Sequence, residues 1–194
     1  GSAGAHLAAL AALTAGDPEY QPGFESADTR VQAAVTFYGV YDMTNRLGAR
    51  LGARASDYRA MLERFVMKRR FADAPELFAR ASPIDRIHAD APPFLVVHGT
   101  RDTLTPVEDA RHFVEKLRLV SSEPALYIEM HGAEHAFDVF PSVRTVQVIE
   151  ATERFLEATH RAHVAGRREA VEVAPAMAAI TSGPHPTLAG ATGT

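Results

Sequence analysis

Three short apolar runs, each followed by a loop and a helix-forming stretch, constrain what this chain can fold into more than any other feature. They occupy residues 31–38, 94–97 and 125–130. The middle run, Phe94-Leu95-Val96-Val97, has no polar position and closes on His98-Gly99. A strand apolar on both sides must be covered on both sides, which is the condition at the centre of a parallel sheet. Thr105-Pro106-Val107-Glu108 follows, where a threonine cap, a proline in the first turn and a glutamate at the third position predict a helix start. Val107, Ala110, Val114 and Leu117 give that helix a buried stripe. A final helix is predicted over 142–160, with Val143, Val146, Ile149 and Leu156 on one side. At the other end, the alanine- and leucine-dense residues 4–15 predict a helix stopped by Gly16. The order helix, strand, helical insertion, strand, helix, strand, helix predicts an α/β fold, a mostly parallel sheet with helices on both faces.

Between the first two strands, residues 39–93 contain no strand-like run. Tyr58, Met61, Leu62, Phe65 and Val66 recur at helical spacing and predict one amphipathic helix there, and Asp73, Pro75 and Glu76 predict the capped start of a short second one. With 194 residues, 46% of them apolar, one domain is the expectation, spanning 1–160 with a cap-like insertion at 39–93. Residues 164–194 have no aromatic side chain and are rich in alanine, glycine, proline and threonine, so a disordered tail is expected. A net charge of −4 without a long basic block leaves no footprint for nucleic acid. The absence of cysteine excludes disulfides, thiolate metal sites and a cysteine nucleophile, and suits either redox compartment. Residues 7–13 are too short an apolar run for a membrane span and lack a basic leader. The chain opens on glycine rather than methionine, and sequence is expected to be missing upstream. His160 and His163 lack further ligands at metal spacing, so no metal is expected; Lys68-Arg69-Arg70 is expected to be a solvated helix face.

In parallel sheets, ligand-contacting groups gather at the carboxyl ends of strands. Gly1-Ser2-Ala3-Gly4 opens directly into a helix, with small residues around a serine as a strained nucleophile elbow requires. A simple helix cap or a cloning remnant explains the same four residues. Asp102, in the turn after the second strand, can orient an imidazole or merely satisfy turn amides. His135, in the loop after the third strand, can reach a serine on another strand's exit; His131 is its rival, and His98 reads as a packed histidine. Tyr38, Tyr41 and Asp42 follow the first strand and are expected to border an acyl pocket, with core packing the competing explanation for Tyr38.

Serine, aspartate and histidine thus occur in the chain order of one hydrolase fold. The phrases GSAGAH, VTFYGVYD, HGTRD-TLTP and GAEHAFD together resemble the α/β-hydrolase superfamily, specifically the esterase/lipase branch of hormone-sensitive-lipase-like and bacterial carboxylesterases. The resemblance covers 1–160 and implies a partial α/β-hydrolase fold acting on a small-molecule ester without a cofactor. By it, Ser2 aligns with the nucleophile, Asp102 with the acid, His135 with the base, and the Ala3 amide with one oxyanion-hole donor. The family's glycine-rich oxyanion loop and the strand leading into the elbow are not in this sequence, and Ala5-His6 departs from the Gly-Gly ending of the hormone-sensitive group. A peptidase, amidase or formamidase of the same fold, or an inert fragment, remain the alternatives.

Overall fold

The computed structural model describes the backbone of residues 1–181 and the side chains of residues 1–166. Three parallel strands, β1 (Ala34–Phe37), β2 (Phe94–Gly99) and β3 (Ala125–Met130), lie side by side in that order. Ala34 pairs with Phe94 and Phe94 with Ala125, so the three strands start in register and point their carboxyl ends to one rim, where β2 and β3 run two residues past β1. The first apolar run is longer than the strand it forms. Only Ala34 to Phe37 find partners on β2, and Val31 lies outside the ladder and is exposed.

β2 behaves as its composition demands, with no residue of it exposed. Phe94 and Val96 point into a core built with Ala9 and Leu13 of α1 (Ala3–Leu13) and with Phe113, Val114 and Leu117 of α4 (Val107–Val120). Leu95 and Val97 point to the other face, where Val148 and Phe155 of α5 (Val143–Thr181) cover them. Burying each such side chain contributes about 1.5–3 kcal/mol, which holds the helix–sheet–helix layering together.

The final helix departs from expectation. Val143, Val146, Ile149 and Leu156 are exposed, while Thr145, Val148 and Phe155 are buried. The sheet-facing stripe runs through threonines, and Thr152 and Thr159 return their hydroxyls to the carbonyls of Val148 and Phe155. With its hydroxyl bonded inside the helix, a threonine can turn a methyl group to the core, and a count of apolar residues overlooks it. The helix also continues to Thr181, so the expected tail from 164 begins in helical backbone, as its alanine, glutamate and arginine content permits. The remainder of that expectation, 182–194, lies outside the described residues.

The insertion folds as α2 (Gly52–Met61), a π-helical turn over Leu62–Met67, a 3-10 turn over Phe71–Asp73 and α3 (Pro75–Arg80). Its small apolar cluster is centred on Met43, Leu62 and Phe78. The π turn widens the helix and changes its phase. Leu62 stays buried whereas Phe65 and Val66, expected on the same stripe, face outward. The predicted Asp73 cap is not made; Ala74 precedes α3 without a side-chain cap bond. Lys68, Arg69 and Arg70 are exposed as expected, beyond the π turn rather than on a helix face. A buried ion pair, Arg50 Nη1 to Asp109 Oδ2 at 2.9 Å, ties the insertion to α4.

Candidate active site

Ser2 sits at the turn into α1 with φ 54° and ψ −124°. A non-glycine residue there is strained by about 1–3 kcal/mol, which the surrounding packing must hold. The Ser2 amide donates to the Phe37 carbonyl at 2.9 Å, so the turn is anchored at the carboxyl end of β1. Ala3 is the first residue of the helix. Its amide has no carbonyl one turn back to bond, and it lies at the positive end of the helix dipole.

Asp102 follows the carboxyl end of β2. Its Oδ1 accepts the amides of Leu104 and Thr105 at 2.9 and 2.8 Å. Its Oδ2 accepts the Thr105 hydroxyl at 2.8 Å and lies 2.7 Å from His135 Nδ1. Burial pushes the Asp102 carboxyl toward a higher pKa, but bonds from His98, the Thr105 amide, His135 and the Thr105 hydroxyl outweigh it and hold the group well below the usual carboxylate range. The group is therefore an ionised acceptor at neutral pH.

His135 lies beyond β3, in a loop fastened to the Asp102 turn. Arg101 donates its amide to the Ala133 carbonyl at 3.0 Å, and any side chain at Gly99 would strike that same carbonyl. The imidazole bridges the two other groups, with Nδ1 at Asp102 and Nε2 2.9 Å from Ser2 Oγ. A carboxylate can only accept, so Nδ1 carries the proton and Nε2 presents its lone pair to the serine hydroxyl. The structure thus brings Ser2, Asp102 and His135 into one hydrogen-bonded line at the carboxyl rim of the sheet.

The other predicted residues fall elsewhere. Tyr41 is fully buried, stacked 4.3 Å from Phe113 and bonded to the Thr36 hydroxyl, which makes it a core side chain rather than a pocket wall. Asp42 is buried and spends its carboxylate on the Thr44 amide and hydroxyl and the Leu47 amide, an aspartate turn that shapes the insertion's start. Tyr38 is buried against His135, with ring centroids 4.6 Å apart. An open cleft of about 710 Å³ lies instead between α2 and the Asp102 turn, lined by Arg50, Tyr58, Met61, Thr103 and Leu104 among others. Among the described residues no helix is long and apolar enough to cross a membrane, and no acidic, histidine or cysteine cluster can hold a metal ion.

Thr105 and His98 were not singled out for this site in the sequence. Thr105 reads as the cap of α4, yet the helix begins two residues later, without a side-chain cap bond, and the hydroxyl turns back to Asp102. The signal was its position three residues after an aspartate in a turn, where side chain and carboxylate meet. His98 is fully buried; its Nε2 donates to the Thr105 carbonyl at 2.7 Å and lies 3.4 Å from Asp102 Oδ2.

Residues 1–117 match the BD-FAE family. LipM of Mycobacterium tuberculosis (strain ATCC 25618 / H37Rv), named a probable carboxylic ester hydrolase, is 47% identical over 178 residues, covering 92% of this chain and 39% of LipM. Esterase LipQ of the same organism is 47% identical over 172 residues, 87% of this chain and 39% of its own. The chain therefore spans about two-fifths of the length of these relatives. Among solved structures, the apo form of Thermogutta terrifontis esterase 2 superposes with a TM-score of 0.61 at 26% identity, over 81% of this chain and 53% of that one. A truncated carbohydrate esterase from gut microbiota shares the fold at 22% identity, with a TM-score of 0.61 over 82% of this chain and 57% of its own.

Proposed function

The chain belongs to the BD-FAE family, and from that premise we propose that it is the part of a serine carboxylic-ester hydrolase that carries nucleophile, base and acid. The observation that carries the reading is the bridging imidazole, 2.9 Å from Ser2 Oγ and 2.7 Å from Asp102 Oδ2. Relatives named as ester hydrolases at 47% identity favour an ester over an amide substrate.

In this mechanism His135 Nε2 takes the Ser2 hydroxyl proton as Oγ attacks the ester carbonyl carbon. The carbonyl π electrons move to oxygen, where the unbonded Ala3 amide donates to the developing oxyanion; one such donor typically accelerates the step about 10²–10³-fold. Asp102 keeps the proton on Nδ1 and stabilises the imidazolium. Collapse of the tetrahedral adduct expels the alkoxide, which receives the proton from Nε2 and departs as the alcohol. Water then loses a proton to Nε2 and attacks the acyl-enzyme, and a second collapse releases the acid and returns the proton to Ser2. The insertion at 39–93 shapes the cleft beside the Asp102 turn, and with it the choice of acyl or alcohol group.

The test is hydrolysis of p-nitrophenyl acetate by this chain and by a version extended upstream with the sequence that precedes the matched region in LipM, each beside its Ser2→Ala variant. The extended protein is expected to turn over the ester and to lose at least about 10³-fold in kcat on Ser2→Ala. An unchanged rate in Ser2→Ala removes the nucleophile assignment.

A further inference from the structure

Tyr38 touches every segment that meets at this site. Its ring packs edgewise on the His135 imidazole, with centroids 4.6 Å apart and planes at 60°. Its hydroxyl donates to Asp138 Oδ1 at 2.5 Å, across a hundred residues of sequence and three positions beyond His135. Its carbonyl oxygen lies 3.2 Å from the hydroxyl of Thr105, the same group that donates to Asp102. On the Ser2 side, a methyl group added to Gly1 would come within 2.6 Å of the Tyr38 hydroxyl oxygen, so the ring fills the space in front of the elbow. Tyr38 is nonetheless a β1-end residue held at φ 40°, a conformation unfavourable for a bulky side chain. Such a geometry persists only where surrounding contacts over-determine it.

No hydrogen bond joins the Tyr38 side chain to Ser2, His135 or Asp102, so it takes no part in proton transfer. What it does is restrain the base. The His135 side chain is 17% exposed, and its loop is tied to the Asp102 turn through the Ala133 carbonyl, a tie that acts before residue 135 and leaves the segment beyond it to be held by other contacts. The Tyr38–Asp138 bond pins the far side of that loop to β1, and the ring blocks the imidazole from swinging toward Gly1.

We propose that Tyr38 and Asp138 form a clamp that positions His135 for proton transfer, with Tyr38 the positioning residue and Asp138 its acceptor. The proposal rests on the hydrolase reading above, because it assigns these residues a role through His135. It differs from a general packing role in what each atom does: the hydroxyl and an acceptor oxygen at 138 are required, and charge at 138 is not.

Six forms of the upstream-extended protein test this on p-nitrophenyl acetate: parent, Tyr38→Phe, Asp138→Ala, the double variant, Asp138→Asn and Ser2→Ala. Misplacing a reacting group by about 1 Å can cost about 100-fold, so Tyr38→Phe and Asp138→Ala, through a smaller shift of the imidazole, should each lower kcat about 10-fold, with KM within about 2-fold. Removing both should cost no more than removing one, since both lie in a single interaction. Asp138→Asn keeps an oxygen that accepts from the tyrosine and should recover most of the parent kcat. A kcat for Tyr38→Phe within about 2-fold of the parent, with the parent's rate dependent on Ser2, overturns the clamp and leaves the hydrolase reading intact. Equal losses in Asp138→Asn and Asp138→Ala overturn it too, since a charge rather than an acceptor would then matter. Equal rates for the parent and its Ser2→Ala form overturn both readings together.

Discussion

Replacing Asp102 with asparagine isolates one atom of the site. The side chain keeps its shape, and its amide oxygen can occupy the Oδ1 position and keep the two amide bonds from Leu104 and Thr105 at 2.9 and 2.8 Å. At Oδ2 the situation inverts. An NH₂ group then faces His135 Nδ1, 2.7 Å away in the parent, and can only donate. Nδ1 must become the acceptor and the ring proton must move to Nε2, where it faces Ser2 Oγ 2.9 Å away. The base has then lost the lone pair it needs and the anion that stabilised its charged form. In the general Ser-His-Asp template this exchange costs about 10⁴ in kcat, and the same inversion predicts a loss of that order here, about 5.5 kcal/mol of transition-state stabilisation. The assay is kcat on p-nitrophenyl acetate with circular dichroism to establish an intact fold. A folded Asp102→Asn protein retaining more than about a tenth of the parent kcat refutes the tautomer argument.

Asp102 also sets a pH dependence of stability. Its folded carboxyl lies below the ordinary unfolded value of about 3.9, so its ionised form stabilises the fold above that value, and the contribution is lost as pH falls through the folded pKa. The urea midpoint of the parent should therefore exceed that of Asp102→Asn at pH 7, and the gap should narrow below about pH 4; a gap independent of pH contradicts this. Gly1→Ala pushes a methyl group against the Tyr38 hydroxyl and should lower kcat about 10-fold or more while leaving KM within about 2-fold. Arg50→Met strands a buried Asp109, whose carboxyl burial already drives upward, and should cost about 3–5 kcal/mol by urea unfolding, whereas the Arg50→Met, Asp109→Leu pair should recover most of it. Phe113→Ala, which empties space between Tyr41 and Phe94, should cost about 3–5 kcal/mol in the same measurement.

What could be read in advance follows from where a residue's neighbours are. β2 was legible because a run apolar on both sides has one common solution, and the α4 stripe because its spacing and burial agree. Phase was not legible where local geometry changed it: the π turn after Met61 exposed Phe65 and Val66, and the buried stripe of α5 runs through Thr145, Val148 and Phe155 rather than through Val143, Val146, Ile149 and Leu156, which the spacing picked out. At the site, Asp102 and His135 stood out by position after strands and Ser2 by its small neighbours at a helix start, and the fold joins them in one line. Tyr41 and Asp42 sat at the right end of β1 but turned into core and turn, since the end of a strand does not reveal which way the chain next bends. Thr105 and Asp138 were hidden for a related reason. One carried the signature of a helix cap, and the other's partner lay a hundred residues away, a contact only the folded sheet creates.

The proposed mechanism requires Ser2 to carry an activated hydroxyl, and covalent trapping reads that most directly. The upstream-extended protein would be incubated with a fluorophosphonate at neutral pH, digested and mapped by mass spectrometry. A single phosphonyl adduct on Ser2 is expected, formed far more slowly in His135→Ala and absent in Ser2→Ala. An adduct on a different serine, or labelling of Ser2 at the same rate without His135, contradicts the mechanism.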